Sequence, residues 1–593
     1  MLPPSEAALA FRRRAAMRLM LGSAASLALP GCTDLLPPLR PPTAIEDAQV
    51  HAIDVHCHLF NADDIPVEGF VRHAVLHDTD KLDLADLLEP FIEFVAEIMR
   101  ESAISARDEA REIRGGRADR MALRRSDRTS DRQMVREAVV NATRRVQNRG
   151  GAPGSNRAGQ CIAPRALARS GRSHPRMNEL LRVLADPRRR RNSGPQRMAV
   201  ALESIAPSAD LPPPPEAVAD GAVEPNDPIT GILTMATLMT RPRLELVRRL
   251  IGLADNGGAE IGFLVPAMVD FSYWVDDHCI TPHAQQIDFW TAVAEKGGEQ
   301  SAVHGWVSFC PWRQIVEGRQ LRRVKDAVLS GAFVGVKMYP LMGFYPIGNA
   351  DAPDAALFPP GLRAIPGFGR KLDDALIELY TWCIDNDVPI MAHCSHSQFP
   401  DEAAGLRGAP GYWETVLTDP RFRKLRLNIA HFGGPWHLAE AGQPRWTEKV
   451  IEILANPDFL NVHSDISDYD TVLWPDGEEY QTIRTQVARM LASHPAAKDR
   501  LMYGTDWVML ARTLGVNGYY RGMKRLATDL GLSKEQTYGF LGTNAARFLG
   551  LSLVDGEMPP TRRRLEAFYD AHKLDKALLR RFDKPTAPRV AAR

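Results

Sequence analysis

Eight short apolar runs recur along this chain, at residues 52–60, 261–269, 303–309, 332–338, 388–394, 425–431, 460–466 and 500–506. Each is nearly continuous in apolar residues and ends in polar or reactive ones. Helix-like stretches such as 244–253 lie between most of them. A strand apolar along its whole length is buried on both faces, as in a parallel sheet covered by helices. Eight such strands with reactive residues at their carboxyl ends predict a TIM-type (β/α)₈ barrel whose site lies at that end. The alternative is a doubly wound open sheet. That fold normally carries a Gly-rich phosphate loop after its first strand, and here the position holds Asp54-Val55-His56-Cys57-His58.

The runs divide the chain. Residues 51–78 and 229–552 are expected to form the barrel, interrupted by an insertion at 79–228. Within the insertion, 82–99 is apolar with helical periodicity, whereas the stretch beyond residue 99 is rich in arginine and broken by Gly and Pro. Such composition predicts a segment partly helical and partly disordered. Because it comes after the first strand, it begins on the face of the site and could act as a lid. Residues 538–551 read as the closing helix, and 553–593 as a basic helical tail.

The amino terminus reads as an export signal. Arg12-Arg13-Arg14 precede the apolar stretch 17–29, too short for a membrane span and of the right length for a signal-peptide core. The stretch ends in Leu29-Pro30-Gly31-Cys32, which resembles a bacterial lipoprotein box with Cys32 as the lipidated residue. The paired arginines resemble a twin-arginine signal. Residues 1–32 are thus expected to be a lipoprotein-like signal peptide and 33–50 a linker. The mature protein would lie in the periplasm or on the membrane through a lipid anchor, the alternative being simple cleavage. A formal net charge of zero gives no reason to expect a nucleic-acid partner, and seven cysteines without a CxxC pair indicate neither a zinc ribbon nor a disulfide framework.

The residues that carry chemistry close the runs. On a strand, His56 and His58 face the same side, a suitable spacing for two imidazoles on one ion. His393 ends the fifth run, His431 the sixth, Asp506 the eighth, and Lys337 lies near the end of the fourth. Burying an unpaired aspartate is costly. Imidazoles and a carboxylate with room for water are the ligands of catalytic zinc. Weaker candidates are His396 and His463 for substrate contact, Trp507, Tyr339 and Trp274 for an apolar pocket, and Asp54 for orienting a ligand.

This set resembles the amidohydrolase superfamily. The strings Gly335-Val336-Lys337-Met338-Tyr339-Pro340 and Asn544-Ala545-Ala546-Arg547-Phe548-Leu549-Gly550-Leu551 resemble its amidohydrolase-related branch. That branch includes aminocarboxymuconate-semialdehyde decarboxylase, γ-resorcylate decarboxylase and lactone hydrolases. The likeness covers about residues 50–75 and 230–552. It implies His56, His58, His393 and Asp506 as ligands of a divalent metal, with zinc the first candidate. It makes His431 the residue that activates the attacking water, with Asp506 doubling as a base. Lys337 would either bind a substrate carboxylate beside one metal or, carboxylated, bridge two. The expected activity is hydrolysis of a C–O or C–N bond of a small carboxylated substrate. The alternative is nonoxidative decarboxylation of an aromatic or muconate-type acid. A non-catalytic surface binding protein would have no use for His431 and Asp506 together.

Overall fold

The strands fall where the apolar runs place them, most ends drawn in by a few residues and β3 beginning one residue early, at Ala302. The computed structural model describes residues 51–70, 99, 104–117, 235–236, 238–256, 260–298, 301–396, 401–440, 442–513 and 516–583. The expected signal peptide with Cys32, the linker, and most of the insertion lie outside the described residues. Among those described, the strands are β1 Ala52–Cys57, β2 Ile261–Pro266, β3 in two pieces (Ala302–Val303 and Gly305–Ser308), β4 Phe333–Met338, β5 Ile390–Ala392, β6 Leu427–Ile429, β7 Val462–Ile466 and β8 Leu501–Tyr503. Nearly every strand residue is buried, and every pairing between strands is parallel. The reading of alternating helices and parallel strands holds.

One ladder runs from β1 through β2 to the first piece of β3, and a second from the other piece through β4 to β8. His304 interrupts β3, and the ladders are joined there by a parallel bridge between Ala267 and Trp306. At the other seam, the amides of Thr505 and Asp506 donate to the His56 carbonyl at 3.1 and 2.8 Å. The end of β8 is thereby bonded to the end of β1. The run 500–506 yields a strand only to Tyr503, because after Gly504, whose amide still donates to the Ile466 carbonyl, Thr505 and Asp506 turn to make this seam.

Part of the insertion packs into the body. Helix α1, Ala106–Arg114, is capped by Ser105, whose side chain accepts from the Asp108 amide. It lies along α3, His283–Lys296, with Arg114 Nε 2.7 Å from Glu295. Its buried Glu109 meets Arg243, the first residue of α2, Arg243–Asn256. The Arg243 guanidinium also makes a paired contact of 2.6 and 2.7 Å with Asp64, in the loop after β1. A cation buried between two carboxylates keeps its charge only through such geometry, and here it ties α1 to the rim of the site.

The segment expected as a basic helical tail packs on the body. Helix α4, Pro560–His572, and the turn Ala577–Arg580 bury Leu565, Phe568, Tyr569, Leu578 and Leu579. Tyr569 and Phe568 pack on His304, and Phe582 on Phe263 of β2. Gly331, just before β4, has φ 87°, and a Cβ there would lie 2.7 Å from the Arg564 carbonyl oxygen. The tail therefore covers the amino-terminal ends of β2 to β4, opposite the expected site. The closing helix is broken into Lys534–Tyr538, a π-turn over Gly539–Thr543, and Asn544–Leu549.

Candidate metal centre

β1 directs His56 inward, and His58 comes one residue beyond the strand. Each imidazole is fixed by its Nδ1 atom. That of His58 lies 3.0 Å from the Ala267 carbonyl oxygen, and that of His56 lies 3.1 Å from Asp465 Oδ1. Carbonyl and carboxylate oxygens only accept, so both Nδ1 atoms carry a proton, and in the neutral ring Nε2 is the nitrogen with a bare lone pair.

These two Nε2 atoms face the same oxygen. Asp506 Oδ1 is 3.3 Å from that of His56 and 3.2 Å from that of His58. It is buried and accepts no hydrogen bond. One atom from each of these residues lies within 4.8 Å of the others. Lone pairs so placed repel one another, the Lys337 Nζ at 3.0 Å relieves this only at His56 Nε2, and neutral imidazoles with a carboxylate are a donor set for a divalent ion. The residues fit a metal.

His56, His431 and Asp465 make a second close group, but this one is filled by protons. Asp465 accepts from Asn428 Nδ2 at 2.7 Å, Ser467 Oγ at 2.6 Å and the His431 amide at 3.2 Å, besides His56. Burial opposes its charge, but the His56 imidazole and these donors prevail and hold its carboxyl well below the usual range. It thus orients a candidate ligand from behind. Asp465 and Ser467 are the residues that the sequence reading missed.

His431 belongs to the same network. Its Nδ1 is 3.0 Å from Ser467 Oγ and its Nε2 3.1 Å from His393 Nδ1, while His393 Nε2 is 2.8 Å from Ser395 Oγ. His393 therefore joins the centre through His431 and stands outside the close group. Burial lowers the His431 pKa to about 3 and holds those of His56 and His393 down as well. The imidazoles are neutral, the form that binds metal or accepts a proton. His431 and Asp506 have φ of 60° and 54°, a region costing a residue with a side chain of order 1 kcal/mol or more. Hydrogen bonds from their amides to Asp465 and to the His56 carbonyl hold them there.

Lys337 projects inward from β4, with Nζ 3.0 Å from His56 Nε2 and 4.9 Å from the Tyr339 ring centre. Burial lowers its pKa to about 8. Asp54, with its pKa raised by burial to about 7, accepts from the Thr505 hydroxyl at 2.7 Å and the Thr505 amide at 3.1 Å. It anchors the turn that carries Asp506.

The weaker candidates separate. Tyr339 lies beside His393, with ring centres 5.9 Å apart. Trp507 is buried, and its carbonyl accepts from the His58 amide. His463 faces Phe548 two residues before Asp465, a layer below the centre. His396 packs on His437 and Trp446. Trp274 donates to Cys310 Sγ at 3.2 Å and packs among other aromatic rings.

A search of curated proteins finds no match. Among solved structures, an amidohydrolase from Burkholderia multivorans with bound HEPES is 15% identical, over 51% of this chain and 87% of that one, with a TM-score of 0.31. A zinc-bound amidohydrolase structure from the same organism is 16% identical, over 51% and 87%, with a TM-score of 0.31. The 5-carboxyvanillate decarboxylase of Sphingomonas paucimobilis is 12% identical, over 51% and 82%, with a TM-score of 0.27. A family model for amidohydrolases matches residues 275–551. The matched segment, which carries Lys337, His393, His431, Asp465 and Asp506, is similar to the amidohydrolase family.

Proposed function

We propose that this chain is a hydrolase that cleaves a C–O or C–N bond of a small carboxylated substrate, with a divalent metal held by His56, His58 and Asp506. His393 is the fourth candidate ligand, one contact away through His431. Zinc is the first candidate, because two imidazoles and a carboxylate are a zinc donor set. The observation that carries the reading is the convergence of two unprotonated Nε2 atoms on an Asp506 oxygen without a hydrogen bond.

A divalent cation supplies Lewis acidity there, lowering the pKa of water and polarising the bond to be cut. The other steps fall to the side chains. Neutral His431, whose Nε2 is bare because Nδ1 donates to Ser467 Oγ, can take a proton from the attacking water in place of the His393 contact. Asp506 can double as a base through its other carboxylate oxygen, carrying a proton from the water to the leaving group. Lys337 offers N–H donors to a substrate carboxylate, and burial excludes competing water.

Elemental analysis of purified protein, with a screen of lactones, esters, amides and aromatic acids, tests the proposal. We expect one zinc per chain and proton release without carbon dioxide. Carbon dioxide release from an aromatic or muconate-type acid would replace hydrolysis with decarboxylation. Two ions per chain would make Lys337 a metal bridge. An active, metal-free, chelator-insensitive protein would sink the metal assignment.

A further inference from the structure

One strand from Lys337, on the same face, stands a serine with no part in the reaction above. Ser308 ends β3 and pairs in register with Lys337 of β4. Residues so paired project to the same side of a sheet, with their strands roughly 4.8 Å apart. That side is the barrel interior. Trp306, two residues earlier on β3, donates from Nε1 across the interior to the Val55 carbonyl of β1 at 2.9 Å. Gly335, two residues before Lys337, leaves room for the indole, since a Cβ there would lie 2.4 Å from its ring. Ser308 and Lys337 therefore occupy one interior layer, with His56.

The Ser308 hydroxyl is set by His283, the first residue of α3. His283 Nε2 lies 3.0 Å from Ser308 Oγ and 3.1 Å from the Ser308 carbonyl oxygen. Because the carbonyl only accepts, Nε2 carries the proton, and Oγ receives it instead of giving its own. His283 Nδ1 is buried without a partner, as suits the bare nitrogen of a neutral ring. The hydroxyl proton of Ser308 is thus turned away from His283, and among the described residues no acceptor takes it.

We propose that Ser308 and Lys337 form a two-donor clamp for the substrate carboxylate, with His283 as the positioning residue that aims the Ser308 proton. The inference rests on the carboxylated-substrate reading above and names what recognises that carboxylate. Ser308 and Lys337 are fully buried, whereas His393 is partly exposed. A carboxylate held between Ser308 and Lys337 would meet donors in a dry setting, where each hydrogen bond is stronger than at a surface. Tyr339, beside both Lys337 and His393, offers a wall for a flat acid.

Calorimetric titration of the full-length protein with benzoate, and with benzamide as the neutral isostere, tests the clamp without turnover. Losing a hydrogen bond to a charged group should weaken benzoate binding in Ser308→Ala by about tenfold and leave benzamide nearly unaffected. His283→Gln, which keeps a donor near Nε2, should retain benzoate affinity, and His283→Phe should lose it. Equal benzoate affinity in wild type and Ser308→Ala overturns the clamp, as does wild-type binding of benzoate no tighter than benzamide. If the clamp passes while no substrate is hydrolysed, only the hydrolase reading fails.

Discussion

His56 Nδ1 lies 3.1 Å from Asp465 Oδ1, and both side chains are fully buried. Through this contact a residue outside the group around Asp506 decides which nitrogen of His56 faces it. Asp465→Asn should keep the fold and weaken metal binding by about 10- to 100-fold, the usual cost of removing such a partner. Competition with a chelator measures this, and unchanged affinity would show that Asp465 serves packing alone.

His58 and His431 should differ in kind. His58 Nε2 faces Asp506, whereas both ring nitrogens of His431 are engaged by Ser467 and His393. We expect His58→Ala to lose metal. His431→Ala should keep it and lose about 10²- to 10⁴-fold in turnover, as for a general base. Equal metal loss in both variants would move His431 into the coordination shell.

At the opposite end of the barrel, His304 should make the protein sensitive to acid. Burial lowers its pKa from 6.5 to about 4, against hydrogen bonds that would raise it. The unfolded chain takes up this proton first as pH falls, so the contribution is complete above about pH 6.5. It is lost as pH falls toward 4, and amounts to about 3 kcal/mol. Phe fits the stack on Phe263 and Tyr569, so His304→Phe should lose less stability over that window. Urea unfolding at a series of pH values reads the slope, and an unchanged slope would exonerate His304.

For the amino terminus, we propose export with lipidation at Cys32, on the strength of Arg12-Arg13-Arg14, the apolar stretch 17–29 and Leu29-Pro30-Gly31-Cys32. Wild type should fractionate with membranes and Cys32→Ala should not. If both are soluble with the same mature amino terminus, the anchor is wrong and export stands. If both remain full-length in the cytoplasm, export fails too.

The sequence showed the strands because burial on both faces leaves continuous apolar runs, and it showed His56 and His58 because the strand period fixes their direction. Asp465 escaped notice for the same reason. It lies inside the run 460–466, where a lone carboxylate reads as an imperfection of a buried strand. The available signal was His463 two residues earlier, which marks the inward face of β7. The basic helical tail expected at 553–593 carries Leu565, Phe568 and Tyr569 at helical spacing, and these form its buried stripe. Nothing in sequence spacing could reveal that His393 turns one nitrogen to His431 and the other to Ser395, because that is decided by rotation of a side chain.

The bonds that join β8 to β1 run through the His56 carbonyl and the amides of Thr505 and Asp506, residues that carry or adjoin the candidate ligands. A cation clasped by these side chains would act as a rivet across the last joint of the cylinder. Its departure should be felt first as fraying, with the amide hydrogens of Thr505 and Asp506 exchanging with solvent sooner than those deep in β4 or β7. A protein joined in this way cannot loosen its grip on the ion and keep its first strand equally secure.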